Sequence, residues 1–139
     1  MKVCISQKNN KVLFEINNES GASSYVDGSP EIGGVNGAVR PMELLLGALG
    51  SCSVFEVKHI LAKQKQALEN IRVEVSGERV SNGTAKPFSK IHVVFIIYGN
   101  VDERKANRAA SLAIDKYCSV KSSLDPSIDV SYEVKINNQ

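Results

Sequence analysis

The stretch RPMELLLGALGSC, residues 40–52, is the most informative part of the chain for its architecture. Pro41 suits the first turn of a helix, where its missing N–H removes no hydrogen bond. The residues that follow are apolar on almost every side of such a helix, so it must be covered on more than one face. We predict a buried helix from Pro41 to about Gln64. A second copy of the chain is the simplest source of the extra cover.

Small residues recur at a spacing of four on one side of this predicted helix, at Gly47 with Ser51 and at Ala48 with Cys52. A glycine inside a helix costs about 1 kcal/mol relative to alanine, so close packing must offset Gly47 and Gly50. Two sources of that packing remain open. The small face packs against another element of the same chain, or it packs across a dimer axis.

Alternation of apolar and polar residues predicts strands on both sides of the helix. The predicted strands lie around residues 3–5, 12–16, 71–75, 91–98 and 128–136. Most have one polar face, the pattern that antiparallel sheets use. The segment 91–98 is apolar on both faces apart from His92, which predicts a central strand. Asp27-Gly28 signals a turn and opens a glycine-rich loop.

A second helix is predicted from about Asp102 to the region of Leu124. Asp102 is a good N-cap, and apolar residues recur at three- and four-residue spacing after it. Asp125-Pro126 ends the helix, because the residue before proline avoids helical geometry. The element order predicts one α+β domain over residues 1–139, with antiparallel sheets around two long helices.

Charge and apolar patterning exclude several classes of protein. A net charge of +2 over 139 residues is too small to indicate binding to nucleic acid or to an anionic membrane. The most apolar segment, from Leu44 to Phe55, is shorter than the roughly 20 residues of a membrane span. No secretory leader follows Met1. Three cysteines, an odd number, then predict a reducing cytoplasmic location rather than a disulfide framework.

The cysteines are the residues most able to carry chemistry. Cys4 lies on the polar side of its predicted strand, and we interpret it as incidental. Cys52 lies in the first helix and Cys118 near the end of the second. A buried cysteine is usually an inert small hydrophobe, so a redox pair and two inert thiols both remain open. The absence of a C-x-x-C motif argues against a zinc ribbon or a thioredoxin site.

Three titratable residues, Glu56, His59 and His92, are further candidates. Glu56 stands one turn after Cys52 and would raise the pKa of a neighbouring thiol, unless it points to solvent. His59 is two turns from Cys52, where a solvated histidine is the simpler interpretation than a base or a ligand. A site of Cys52 and His59 would lack further ligands, so we predict no metal. His92 is expected to be packed or solvated.

Two segments resemble the cysteine motifs of the OsmC/Ohr superfamily. Residues 40–52 are similar to its first-cysteine helix, and DKYCSV, residues 115–120, is similar to its second-cysteine segment. The predicted element order also matches over nearly the whole chain. The sequences PME, residues 41–43, and KYCSV, residues 116–120, are most similar to those of the less characterised OsmC-like branch. The resemblance implies an intertwined homodimer with central helices and active sites at the subunit interface.

The resemblance also implies roles for the two thiols. Cys52 would be the peroxidatic cysteine, attacking the O–O bond of a peroxide and becoming a sulfenic acid. Cys118 would resolve it by closing a disulfide, which a dithiol reductant then reopens. No metal or organic cofactor is implied.

One part of the family pattern is altered. The peroxidase branches use an arginine from the N-terminal part of the chain, held by a glutamate that falls ten residues before the first cysteine. Here no arginine precedes Arg40, and that glutamate position is Met42. Glu43 is one residue later, about 100° further round a helix. Arg40 and Glu43 either substitute for the pair or form a solvated charge pair at the helix start.

The leading hypothesis is therefore a thiol-dependent reductase of organic hydroperoxides, with Cys52 and Cys118 as its redox pair. The alternative is a non-catalytic dimer that binds a small apolar ligand at the subunit interface, which the altered arginine pattern favours. Thiol chemistry other than peroxide reduction is a third possibility.

Overall fold

The computed structural model describes residues 1–81 and 83–137. The chain divides into two compact units, Met1–Leu45 and Leu46–Gln139. Its two three-stranded sheets and two main helices make an α+β protein, as predicted. The assignment of residues 1–139 to a single domain stays a prediction.

The N-terminal unit contains three antiparallel strands in the order β1–β2–β3. The strands are β1 (Val3–Gln7), β2 (Phe14–Asn18) and β3 (Ser23–Val26). The first two confirm the alternation in the sequence. β1 is an edge strand with every residue exposed. A single 3-10 turn, Pro30–Ile32, interrupts the glycine-rich segment that follows β3.

Helix α1 (Pro41–Lys63) begins at the proline, as predicted, and ends within one residue of the expected end. Its fully buried residues form one narrow stripe: Leu49, Gly50, Ser53, Val57 and Leu61. Phe55, by contrast, is 69% exposed. The prediction of a helix buried on several sides therefore does not hold within one chain.

The apolar segment from Leu44 to Phe55 lies within the longer helix α1. The segment that ends at Phe55 is short, but the 23-residue helix is long and apolar enough, by length and composition alone, to cross a membrane. The core helix of a soluble protein passes the same test, so this property is weak support for a membrane span.

The C-terminal unit contains a sheet in the order β4–β5–β6. The strands are β4 (Ala67–Arg79), β5 (Phe88–Asn100) and β6 (Asp129–Asn137). β5 is central, as predicted, and its residues alternate between buried and half-buried. β4 pairs with it antiparallel, but β6 pairs with it parallel, from Lys90 opposite Asp129 to Tyr98 opposite Asn137. The sheet is therefore mixed rather than antiparallel.

Helix α1 packs on this sheet through a close approach at Gly50. A Cβ atom at Gly50 would lie 2.8 Å from Cγ2 of Val75, whereas one at Gly47 would meet nothing within 4 Å. The small face predicted on α1 is thus divided. Gly50 packs within the chain, and Gly47 faces open space.

The second helix is not continuous to Leu124, and that prediction was wrong. It consists of α2 (Glu103–Leu112), a π-helical turn (Ala113–Tyr117) and a short α3 (Ser119–Ser122). The break falls at Cys118, whose backbone is extended, with φ −72° and ψ 102°. The regular spacing of apolar residues hides this break, because the wide π turn preserves the buried face across it.

Candidate active site at Cys52 and Cys118

The structure brings two predicted thiols together. Cys52 is half-buried in the middle of α1, and Cys118 is 2% exposed at the break before α3. Burial and, to a smaller extent, Cys52 raise the pKa of the Cys118 thiol, so the two side chains lie near each other although 66 positions separate them in the sequence. Both cysteines are free thiols. Disulfide chemistry between them stays a prediction.

The surroundings of Cys118 keep its thiol protonated. Burial raises the pKa of Cys118 above its ordinary value, and the adjacent Cys52 raises it further. The backbone N–H of Lys121, 3.4 Å from Sγ of Cys118, opposes these effects and donates to the sulfur. Cys118 is therefore a neutral thiol at neutral pH. Cys52 is the more accessible of the two cysteines.

The two lysines that flank Cys118 in sequence are engaged elsewhere. Nζ of Lys121 lies 3.0 Å from the carboxylate of Asp115. Nζ of Lys116 lies 5.3 Å from the centroid of the Tyr117 ring, within the range of a cation–π contact. Neither ammonium group is therefore dedicated to a thiolate at this site.

A cavity of about 340 Å³ lies near this region of the C-terminal unit. It lies at the C-terminal half of α1, and its lining includes Glu56, one turn after Cys52, and Tyr117, which precedes Cys118. Its apolar lining comes from Ile60 and Leu112. Neither Cys52 nor Cys118 is among its lining residues.

Polar groups also line this cavity. His59 is exposed at its rim, as the sequence predicts for a solvated histidine. Oε1 of Gln64 is buried without a hydrogen-bond partner. Among residues 1–81 and 83–137, no group of three His, Cys, Asp or Glu side chains is arranged to hold a metal ion.

Arg40 and Glu43 lie at the start of α1, in the N-terminal unit. The Glu43 carboxylate accepts the backbone N–H of Arg40 at 2.9 Å, the reciprocal half of a helix-capping box. The Arg40 charge contributes to lowering the pKa of Asp27 and of Glu31. Glu43 precedes Cys52 by nine residues in the sequence. The catalytic role considered for Arg40 and Glu43 stays a prediction.

The other singled-out residues occupy simpler positions. Cys4 is exposed on β1. Nδ1 of His92 lies 2.7 Å from Oγ of Ser131, which is its neighbour across the β5–β6 pair. The donor at Lys121 could not be predicted from the sequence, because it is a backbone N–H and has no residue-type signal.

Asp27 was not predicted as a structural residue from the sequence either. This residue is 2% exposed and accepts the N–H groups of Gly28, Val35 and Gly37 at 2.8 to 3.0 Å. These bonds lower the pKa of the Asp27 carboxyl, with Gly37 contributing most. An aspartate at the start of a glycine-rich segment was the available signal.

Comparison with known proteins identifies the family of this chain. The model of the OsmC-like protein family matches residues 34–133, a range that contains both Cys52 and Cys118. Protein YhfA of Escherichia coli K12 is 35% identical over 100 residues, covering 70% of this chain and 74% of YhfA.

Two solved structures share the fold over almost the whole chain. A hypothetical protein from Aquifex aeolicus is 31% identical with a TM-score of 0.79, covering 98% of this chain and 96% of that one. An organic hydroperoxide resistance protein OsmC from Legionella pneumophila, described as a predicted redox protein, is 17% identical with a TM-score of 0.72. It covers 97% of each chain, and at this identity it shows the fold alone. From the extent of the family match and the YhfA relationship, we conclude that this chain belongs to the OsmC-like protein family.

Proposed function

We propose that this protein is a thiol-dependent hydroperoxide reductase in which Cys52 is the nucleophile and Cys118 resolves it. The observation that carries the proposal is the nearness of the half-buried Cys52 to the buried Cys118, whose pKa is raised by burial and by Cys52, across 66 residues of sequence. A structural cysteine needs no second thiol beside it, whereas a resolving reaction does.

The proposed reaction has three balanced steps. The Cys52 thiolate attacks a peroxide oxygen, the O–O bond breaks, and the departing alkoxide takes a proton to leave as an alcohol. Cys52 is now a sulfenic acid, and the thiol of Cys118 displaces water from it to form the disulfide. A dithiol reductant returns two hydrogens to the pair and is itself oxidised to a disulfide.

The surroundings of the pair favour an organic hydroperoxide over hydrogen peroxide. Ile60, Leu112 and Tyr117 line the adjacent cavity and would contact an apolar substituent. The Legionella structure with the same fold is named an organic hydroperoxide resistance protein, which agrees with this choice. We propose that the reaction needs no metal or organic cofactor.

We also propose that the working protein is a homodimer in the cytoplasm. Helix α1 buries only one stripe within the chain and leaves Phe55 largely exposed. A second copy would cover this apolar surface. The three free thiols suit a reducing compartment, where a dithiol reductant is also available.

Intact-mass analysis with thiol counting tests the proposed function. One equivalent of cumene hydroperoxide should remove two thiols and about 2 Da per chain, mapped to Cys52 and Cys118, as expected for disulfide formation. Cys52→Ser should abolish peroxide consumption, while Cys118→Ser should hold Cys52 as a sulfenic acid or a more oxidised form. Equal consumption by the wild type and Cys52→Ser would reject the proposal. Cys4→Ser is the matched control and should behave as the wild type.

A second candidate function has its own observation. A cavity of about 200 Å³ lies between α1 and β4, bordered by Gly47, Gly50 and Val54 from the helix and by Val73 and Val75 from the strand. It suits a small apolar ligand bound without chemistry. Under this candidate, an apolar ligand raises the melting temperature and peroxide leaves all three thiols intact.

A further inference from the structure

Asp115 and Lys121 lie on either side of the helix break at Cys118. Nζ of Lys121 lies 3.0 Å from Oδ1 of Asp115, and the two residues are six positions apart in the sequence. On a regular α-helix, side chains meet at spacings of three and four residues, whereas a spacing of six turns them about 240° apart around the axis. This ion pair therefore fits the broken helix and does not fit a continuous one.

The same carboxylate has a second contact, on the sheet. The hydroxyl of Tyr132 in β6 lies 3.5 Å from Oδ2 of Asp115, which makes it the longer of the two contacts. One oxygen of Asp115 thus faces α3 and the other faces β6. The π-helical turn that carries Asp115 is tied in this way to the elements on both sides of it.

Lys121 connects the Asp115 carboxylate to the sulfur of Cys118. The main-chain N–H of Lys121 donates to Sγ of Cys118 at 3.4 Å, so Cys118 is the N-cap of α3. In a continuous helix the same N–H would bond to the carbonyl four residues earlier, at Tyr117. The cap therefore exists only with the break, and Cys118 has the extended backbone that an N-cap adopts. Lys121 contacts the sulfur through its backbone and Asp115 through its side chain.

We propose that Asp115 is a positioning residue for Cys118. Its ion pair with Lys121 stabilises the broken form of the helix, and the broken form keeps the Cys118 thiol buried as the cap of α3. This inference rests on the proposed function for the role of Cys118 as the resolving thiol. In that step the Cys118 sulfur bonds to the Cys52 sulfur, the S–O bond of the sulfenic acid breaks, and the hydroxyl leaves as water with the Cys118 proton.

The first test measures how often Cys118 becomes exposed, and it uses no peroxide. Cys4→Ser with Cys52→Ser leaves one thiol, whose alkylation by iodoacetamide is followed by intact mass in the folded protein. A buried thiol reacts through local opening, so the rate reports the opening equilibrium. Asp115→Asn should raise the rate about threefold to fivefold, a modest effect because the paired side chains are 52% and 31% exposed. Asp115→Glu keeps the carboxylate and should restore most of the protection.

A double-mutant cycle shows whether Asp115 acts through Lys121. Lys121→Met keeps the main-chain N–H and removes the ammonium group, so it should raise the alkylation rate about as much as Asp115→Asn. The two changes together should raise the rate no further than either one alone. Effects that multiply in the double variant would overturn the proposal.

Glu133→Gln is the matched control for a general loss of stability. It breaks another exposed ion pair of the same unit, in which Oε1 of Glu133 lies 2.9 Å from Nζ of Lys135 on β6. It should leave the alkylation rate of Cys118 unchanged, and an equal rise with this control would reject a specific role for Asp115. Thermal unfolding checks that every variant is folded.

The second test follows the two redox steps separately in the Cys4→Ser protein. Rapid mixing with cumene hydroperoxide and intact-mass analysis distinguish the oxidation of Cys52 from the later disulfide. Asp115→Asn should leave the first step at the parent rate and slow disulfide formation about threefold, with more overoxidised Cys52 at high peroxide. A residue that only stabilised the fold would not slow one step selectively.

The two tests separate the failure of this inference from the failure of the proposed function. If peroxide yields the disulfide at the same rates in the parent and in Asp115→Asn, the reductase stands and the positioning role is rejected. If peroxide is not consumed but the alkylation cycle shows the expected coupling, the reductase is rejected and Asp115 still positions the Cys118 thiol.

Discussion

Strands β1 and β5 each belong to a three-stranded sheet, yet every residue of β1 is exposed whereas most residues of β5 are buried or half-buried. In β5 Phe95 is completely buried, and the other inward residues are covered almost as well. In β1 Val3 is 57% exposed and Ile5 is 59% exposed. Among residues 1–45 the only buried residue is Asp27, which is polar. The C-terminal unit is therefore held by apolar burial, while the N-terminal unit relies on backbone pairing and on hydrogen bonds to one carboxylate.

The largest expected effect comes from truncating one residue in each sheet. Phe95→Ala should lower the free energy of unfolding by about 3–5 kcal/mol, because it opens a cavity in the buried sheet. Ile5→Ala should change it by less than about 0.5 kcal/mol, because the side chain already faces solvent. Urea unfolding of both variants measures the contrast. A cost at Ile5 close to that at Phe95 would break the comparison and show that β1 is covered by a second copy.

A pair of glycines on α1 should give an intermediate effect. Gly50→Ala should destabilise the protein by about 1–3 kcal/mol, since the new Cβ would lie 2.8 Å from Val75. Gly47→Ala should stabilise it by up to about 1 kcal/mol, because alanine favours the helix and the position is open. Thermal unfolding at several protein concentrations reports both changes. Destabilisation by Gly47→Ala would instead indicate that this side of α1 packs across a dimer axis.

The smallest effect concerns the pH dependence of the N-terminal unit. The hydrogen bonds from Gly37, Val35 and Gly28 hold the pKa of Asp27 below its usual value. The stabilisation from this carboxylate is therefore present above the unfolded pKa of about 4 and is lost as pH falls through the lower folded pKa. Melting temperatures from pH 7 to pH 2 should fall less steeply for Asp27→Asn than for the wild type. Parallel curves would show that another group carries the acid sensitivity.

The strands and the start of α1 could be predicted because each depends on local patterns. Alternation identified β4 and β6, and Pro41 marked the first residue of α1. The parallel pairing of β5 and β6 was missed, although a strand–helix–strand order is the usual sign of a parallel crossover. The alternation of a half-buried strand says nothing about its direction.

The contacts of the candidate site could be predicted from local sequence patterns even less well than the direction of β6. Resemblance singled out Cys52 and Cys118, but only the structure places their side chains together. The donor from Lys121 belongs to the main chain and depends on a helix break that the side-chain spacing conceals. Glu43 was considered for catalysis from its charge and position, whereas its visible contact is a cap on the backbone of Arg40.

The π-helical turn from Ala113 to Tyr117 limits how far the number of residues in this segment can change among related proteins. A π turn holds one residue more than a regular turn. Losing that residue would leave an uninterrupted helix, but it would also rotate Cys118 by about 100° around the helix axis. Most substitutions here would be tolerated more readily than a one-residue deletion. Relatives that keep both thiols should therefore preserve the spacing between this turn and the cysteine even where their side chains diverge.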